Sequence, residues 1–315
     1  MGKSRRLLKK LWSELRSLAS AIPHYSELHR IANFAGNLEH LKATYATSSS
    51  ETKVKLSRQF DSIVDQLTMA NGVTKETYAN RLEPSLSAVL SAVPLSRSEI
   101  RVLDLPASTG AASLRSLAQL QERYRVTSYV LADKYQTILY DRARQCIYDE
   151  AENLLQVGFK LLFFSLHRVG TAGDRYTPVM KALALPHSVM AWFLRKRYPF
   201  RASDMYRRLL VVHPEAEQLL DRGVFHLQEM DVFQPISGRY DLILSFHLLN
   251  LWYFQEDAIT TGIKNLAASL SDGGLLVVGN SESFVAFQKQ GGSLVPRLRE
   301  GNWQSLGIAR CCLIA

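Results

Sequence analysis

The chain has 315 residues, of which 47% are hydrophobic and 21% charged, proportions ordinary for a soluble globular protein of one large domain or two unequal ones. Its net charge of +9 favours an anionic partner, whether nucleic acid, an anionic membrane or an acidic protein. Three cysteines exclude a framework of bridges, and no histidine, cysteine or carboxylate spacing suits a metal, so reduced thiols in a cytosolic compartment are expected.

In chain order, residues 3–21 form a helical pattern with Leu7, Leu8, Leu11, Trp12, Leu15 and Leu18 on one stripe and Lys3, Arg5, Arg6, Lys9, Lys10 and Arg16 around it. That pattern fits a helix lying on an anionic membrane, and equally one docked on its own domain. No signal peptide or membrane span is evident, and Arg6 stands where a myristoylation motif needs Ser or Thr. Helical periodicity resumes over Tyr25 to Thr44, and a serine of the Ser48-Ser49-Ser50 run can cap a further helix reaching about Met69. Another runs from Thr74 to Val93, bent or begun anew near Pro84, so residues 1–95 read as a helical region.

Residues 101–110, R-V-L-D-L-P-A-S-T-G, pass from a short apolar run through a turn into the helical pattern of Ala111 to Leu120. A strand, tight turn and helix in that order bring backbone N–H groups and a helix N-terminus against one side of a ligand. A second apolar run, Tyr129 to Leu131, ends at Asp133, where an acid is placed for a ribose diol. About a hundred residues then separate Asp133 from Asp231, twice what one strand and helix require, so an insertion is expected at about 150–222. It contains an apolar run from Leu154 to Leu166, suited to burial or an interface, and then Trp192 and Phe193 beside Arg195, Lys196 and Arg197. Aromatics beside such basics fit a lid helix, a membrane surface or stacking on nucleic acid; the lack of a recognisable nucleic-acid module argues against the last. Tyr240 to Ser245 reads as strand, Glu256 to Leu270 as helix and Leu275 to Gly279 as strand, with Phe284 to Gln288 and Leu306 to Ile314 as a closing antiparallel pair.

These features resemble the class I S-adenosylmethionine-dependent methyltransferases over residues 99–315. D-L-P-A-S-T-G keeps Asp104 and Gly110 of the family's first motif but puts Pro106 and Ser108 where glycines are usual. Residues 133–144, D-K-Y-Q-T-I-L-Y-D-R-A-R, resemble the family's acid followed by a helix, and H-L-Q-E-M-D-V-F the stretch whose acid meets the adenine amino group. Y-D-L-I-L-S-F-H-L-L-N and L-S-D-G-G-L-L-V-V resemble the fourth and fifth strands. The resemblance implies a Rossmann-like α/β fold: a mostly parallel seven-stranded sheet with an antiparallel last strand, a helical N-terminal region and a helical insertion.

It also implies that S-adenosylmethionine is held by Asp104, Pro106, Ala107, Ser108 and Gly110, by Asp133 and Lys134 at the ribose, by Asp231 and Val232 near adenine, and by Ser245. His247 and Asn250 then line the mouth where the methyl group points; imidazole, titrating near neutrality, makes His247 the candidate base. The expected acceptor is a small or lipid-like molecule beneath the apolar insertion, with an anionic membrane surface and a protein partner as further expectations. A-S-T-G-A-A-S and G-N-S-E-S resemble the chemotaxis receptor methyltransferases, which implies protein glutamate methylation as the alternative, although Ser245-Phe246-His247 replaces their C-R-N triplet. A third reading is a methyltransferase-like scaffold that has lost its cofactor.

Overall fold

The computed structural model describes residues 34–65, 67, 69, 75, 82–159, 162–166, 178–201, 206–251, 253–280 and 282–308. The basic stripe of residues 3–21 and the adjacent Cys311 and Cys312 lie outside them.

Seven strands form the principal sheet: β1 (Glu99–Asp104), β2 (Arg125–Asp133), β8 (Phe225–Glu229), β9 (Tyr240–Phe246), β10 (Leu270–Gly279), β11 (Phe284–Gln290) and β12 (Ser293–Glu300), in the order β12-β11-β10-β9-β1-β2-β8. The pairs from β8 across to β10 are parallel. Buried on both faces, these strands read as nearly continuous apolar runs; all seven residues of β9 are buried. On one face Val102, Tyr129, Leu131, Leu242, Leu244 and Phe246 meet helices α3 (Glu83–Ala92), α4 (Ala111–Gln121) and α6 (Pro214–Asp221). On the other, Leu103, Val130, Ile243 and Leu276 meet α7 (Glu256–Ser269). Side chains alternate between the faces because the strand period is two.

The expected antiparallel strand at Phe284 to Gln288 closes the mostly parallel sheet, and its expected partner is corrected. β11 and β12 form a hairpin through Gly291 and Gly292, at φ of 56° and 87°, which a two-residue turn between antiparallel strands demands. The antiparallel strand is therefore β11, second from the edge, and β12 again runs with the parallel set. Of the expected strand from Leu306 to Ile314, Leu306 ends a short 3₁₀ turn over 303–306, residues 307 and 308 are not strand, and those past 308 lie outside the described residues.

The insertion begins earlier than expected and holds a sheet as well as helix. Residues 133–144 do not make a helix: Thr137–Asp141 is strand β3. With β4 (Cys146–Tyr148), β5 (Leu154–Phe159), β6 (Leu162–Ser165) and β7 (Tyr206–Leu210) it forms an antiparallel sheet in the order β6-β5-β4-β3-β7. Its strands alternate between two cores. Ile138, Tyr140, Ile147 and Leu155 face helices α1 (Phe34–Thr47) and α2 (Ser50–Val64) through Leu38, Leu41, Phe60 and Val64. Cys146, Tyr148, Leu154 and Val157 face α5 (Pro178–Arg197) through Ala191 and Leu194. Leu154, Leu155, Val157 and Leu166 of the insertion's apolar run thus belong to its own two cores. Ser49 caps α2, accepting from the Thr52 N–H at 3.4 Å.

Lys42 ties this unit to the principal sheet: its ammonium donates to the Leu210 carbonyl at 2.7 Å and pairs with Glu217 of α6 at 2.9 Å. The crossover from β2 to β8 therefore runs through the whole antiparallel sheet before α6 returns the chain to β8.

Candidate functional site

The strand order reverses between β1 and β9: β1, β2 and β8 follow one another to one side, β9 and β10 to the other. Open α/β sheets bind ligands outside the carboxyl ends of the strands at such a point. Two connections border it here, residues 105–110 after β1 and 247–255 after β9.

The first connection is tightly stitched. The Leu105 N–H donates to the Leu244 carbonyl at 2.9 Å, the Ala107 N–H to the Ala132 carbonyl at 2.8 Å, and the Ser108 N–H to Asp133 Oδ2 at 3.0 Å. The Thr109 carbonyl accepts from the His213 N–H at 2.8 Å. Ser108 takes φ of 54° and Gly110 φ of 80°. A Cβ on Gly110 would come within 3.0 Å of Leu131 Cδ1 and 3.2 Å of Ala216 Cβ, so glycine is required both by the backbone and by the packing of β2 and α6 against the start of α4.

Asp104 ends β1 and is buried; its carboxylate accepts from Ser113 Oγ at 2.6 Å. The Tyr129 hydroxyl is buried nearby, and burial first, then the Asp104 charge, holds it well above the usual tyrosine range. Among the described residues the Oγ of Ser108, Oγ1 of Thr109 and Oγ of Ser245 are buried without a hydrogen-bond partner, and buried polar groups are seldom left so.

Asp133 is 7% exposed; it accepts from the Tyr135 N–H on Oδ1 at 2.9 Å and from the Ser108 N–H on Oδ2 at 3.0 Å, and the Lys75 ammonium lies 3.0 Å from Oδ2. Lys75 is 5% exposed and pairs by charge, with no well-directed hydrogen bond from its Nζ. A carboxylate offers about four acceptor positions; two take hydrogen bonds here, and the Lys75 ammonium lies against Oδ2.

Lys134 and Asp231 also meet. Parallel pairing of β2 with β8 sets Asp133 opposite Glu229, which brings the residues just beyond each strand together. Lys134 Nζ lies 2.6 Å from Asp231 Oδ2, and Oδ1 accepts the Phe233 N–H at 3.0 Å. Burial pulls the Asp231 carboxyl upward, but the bond from Lys134 and the Phe233 N–H outweigh it and leave the group below the usual carboxylate range. Val232 is buried, and its carbonyl accepts from Asn265 of α7 at 2.9 Å.

Pro106 and Ala107 lie in the connection after β1, Ala107 buried. Ser245 lies in β9 opposite Val278 of β10. His247 follows at φ of 61°, its N–H donating to the Gly279 carbonyl at 2.7 Å. Asn250 is buried, and its carbonyl accepts the N–H groups of Phe254 at 3.1 Å and Tyr253 at 3.2 Å, closing the turn into α7. The expected residues thus fall into two groups. Asp104, the 106–110 connection, Asp133, Lys134 and Asp231 gather over β1, β2 and β8. His247 and Asn250 stand over β9, two strands from β2, or roughly 10 Å at the usual strand spacing.

Two buried residues escaped the sequence reading. Lys75, 58 positions before Asp133, carries no local signal. His213 caps α6: its Nδ1 accepts the Glu215 N–H at 3.2 Å, and the rings of Tyr45 and Phe60 meet it edge-on. Burial, then the nearby Lys42 charge, pushes its pKa down to about 4, so the ring is neutral. The run His213-Pro214-Glu215, a capping residue before proline and an acid, was its legible signal.

No protein-family model matches the chain, and no curated protein matches it. Solved structures similar to it include an S-adenosylmethionine-dependent methyltransferase from Clostridium acetobutylicum, at 11% identity and a TM-score of 0.31, covering 68% of this chain and 62% of that one. An O-methyltransferase family protein from Burkholderia thailandensis matches at 12% identity and a TM-score of 0.30, over 74% of this chain and 42% of that one. The pyocyanin biosynthetic protein PhzM matches at 10% identity and a TM-score of 0.31, over 62% of this chain and 37% of that one. The chain spans less than two thirds of each of these proteins.

Proposed function

We propose that the chain binds S-adenosylmethionine over the carboxyl ends of β8, β2, β1 and β9 and transfers its methyl group to a small or lipid-like acceptor. The observation that carries this reading is the coincidence, at the point where the strand order reverses, of acids ending β1 and β2, an acid just past β8, and the buried hydroxyls of Ser108, Thr109 and Ser245, which have no partner among the described residues. The residues fit the ligand in kind. Asp133 can take the paired ribose hydroxyls, Asp231 lies at the distance of one more strand for the adenine, and the Ser108, Thr109 and Ser245 hydroxyls have hydrogen bonds to give. Two ribose hydroxyls need two acceptor positions, and the Lys75 ammonium stands 3.0 Å from Oδ2 where one of them would bind, so in this reading Lys75 competes with the ribose for the carboxylate.

When bound, the cofactor supplies a methyl group on a sulfonium, open to in-line attack. The protein's part is alignment and proton removal. In this reading His247, just past β9 with its N–H bonded to the Gly279 carbonyl, accepts the acceptor's proton, and Asn250 closes the loop that follows.

A second reading is a scaffold that no longer binds cofactor, favoured by the same closure of Asp133 on Lys75 and Ser108. Isothermal titration with S-adenosylmethionine and S-adenosylhomocysteine separates the two. Micromolar binding, lost in Asp133→Ala and weakened in the less buried Asp231→Asn, supports the enzyme. No binding by folded wild-type protein refutes it and leaves the scaffold.

A further inference from the structure

Helix α5 presents an unusual outer face. Its inner stripe is well packed: Ala191 and Leu194 are 3% and 2% exposed, and the His187 ring stacks on Phe164 at 5.0 Å. At 3.6 residues per turn the opposite face carries Val189, Trp192, Phe193 and Lys196, with Met190 on its flank. Val189, Met190, Trp192 and Phe193 are 58%, 47%, 57% and 54% exposed. Four large apolar side chains within five residues, all facing water, are more than the scattered exposure expected on a protein surface.

The charge around this face has one sign. Residues 178–201 contain Lys181, Arg195, Lys196, Arg197 and Arg201 and no Asp or Glu. Among the described residues Arg207 and Arg208 are neutralised by Glu39 and Glu150, whereas Arg195, Lys196, Arg197 and Arg201 have no carboxylate partner. Lys196 Nζ lies 4.3 Å from the centre of the Trp192 ring, so cation and aromatic stand together on the outer face.

We propose that α5 lies flat on an anionic lipid surface, with Val189, Trp192 and Phe193 in the headgroup boundary and Arg195, Lys196, Arg197 and Arg201 on the lipid phosphates and carboxylates. An apolar face of this kind rimmed by lysine and arginine is how helices bind in the plane of a membrane interface, and tryptophan prefers that depth. Charge argues against two other covers. A second copy would bring the same basic face, and the chain's own first 16 residues carry Lys3, Arg5, Arg6, Lys9, Lys10 and Arg16 against Glu14 alone. No described helix is long and apolar enough to cross a membrane, so the contact is peripheral.

The test is co-sedimentation of the full chain with vesicles of phosphatidylcholine, alone or with about 30 mol% phosphatidylserine, without cofactor, so that its outcome is independent of the methyl-transfer reading. Expected is binding to the anionic vesicles at least about tenfold tighter than to neutral ones and weakened by salt, since each basic group near such a surface is worth about fivefold in affinity. Trp192→Ser with Phe193→Ser removes about tenfold or more of that binding. Both side chains are exposed, so an unchanged melting curve confirms that the variant folds. Failure of the wild type to sediment with anionic vesicles overturns the proposal. So does equal binding by the double variant, which assigns the lipid contact to the basic N-terminal segment, or an oligomer that the double variant abolishes, which assigns α5 to a protein interface.

Discussion

Lys75→Met removes the ammonium from the Asp133 carboxylate while keeping most of the side-chain bulk. The pair is buried on both sides, at 5% and 7% exposure and 3.0 Å separation. Breaking a buried pair from one side costs about 3–5 kcal/mol, because the remaining charge stays desolvated. Asp133 keeps the N–H groups of Ser108 and Tyr135, which puts the loss at or just below the bottom of that range, about 2–3 kcal/mol. Asp133→Asn combined with Lys75→Met recovers part of the loss, with a coupling of about 1–2 kcal/mol in a double-mutant cycle followed by urea unfolding at pH 7. The same single variant reports on function. If Lys75 occupies the position the ribose needs, its removal tightens S-adenosylmethionine binding by about fivefold or more, near 1 kcal/mol. A loss of stability under about 0.5 kcal/mol, or strict additivity in the cycle, refutes the energetic argument. Weaker cofactor binding makes Lys75 part of the ligand site instead of its competitor.

His213 makes stability depend on pH. Its folded pKa of about 4 lies below the ordinary 6.5, so the folded state binds fewer protons and stability is lost as pH falls below 6.5. Between pH 7.5 and 4.5 this amounts to about 2.5 kcal/mol, at 1.36 kcal/mol per unit. His213→Gln flattens the urea-derived stability profile over that window by a comparable amount, and profiles that stay parallel contradict the burial argument. Gly110→Ala loses about 2–3 kcal/mol, combining left-handed strain with the close contacts to Leu131 and Ala216. Gly223→Ala, at φ of 69° with nothing within 4 Å, loses only the strain, about 1–2 kcal/mol; equal losses at the two sites would mean that packing at Gly110 contributes nothing.

The sequence by itself determined the parallel sheet and the placing of its acids. Strands buried on both faces leave unbroken apolar runs such as Leu242, Ile243 and Leu244, and the turns that end them are marked by Asp104, Asp133 and Gly110. Residues 133–144 misled because Leu139 faces one covering layer and Ile138 and Tyr140 the other. A strand apolar on both sides has no polar alternation to betray it, and its helical reading came from family likeness. Only the tertiary structure decided that these residues found a second sheet, since that depends on α1, α2 and α5 arriving from either side to bury it. It also decided the state of Asp133. That an acid ends β2 is written locally, but that Lys75 reaches it from 58 residues away follows from packing between distant segments, which no period in the sequence encodes.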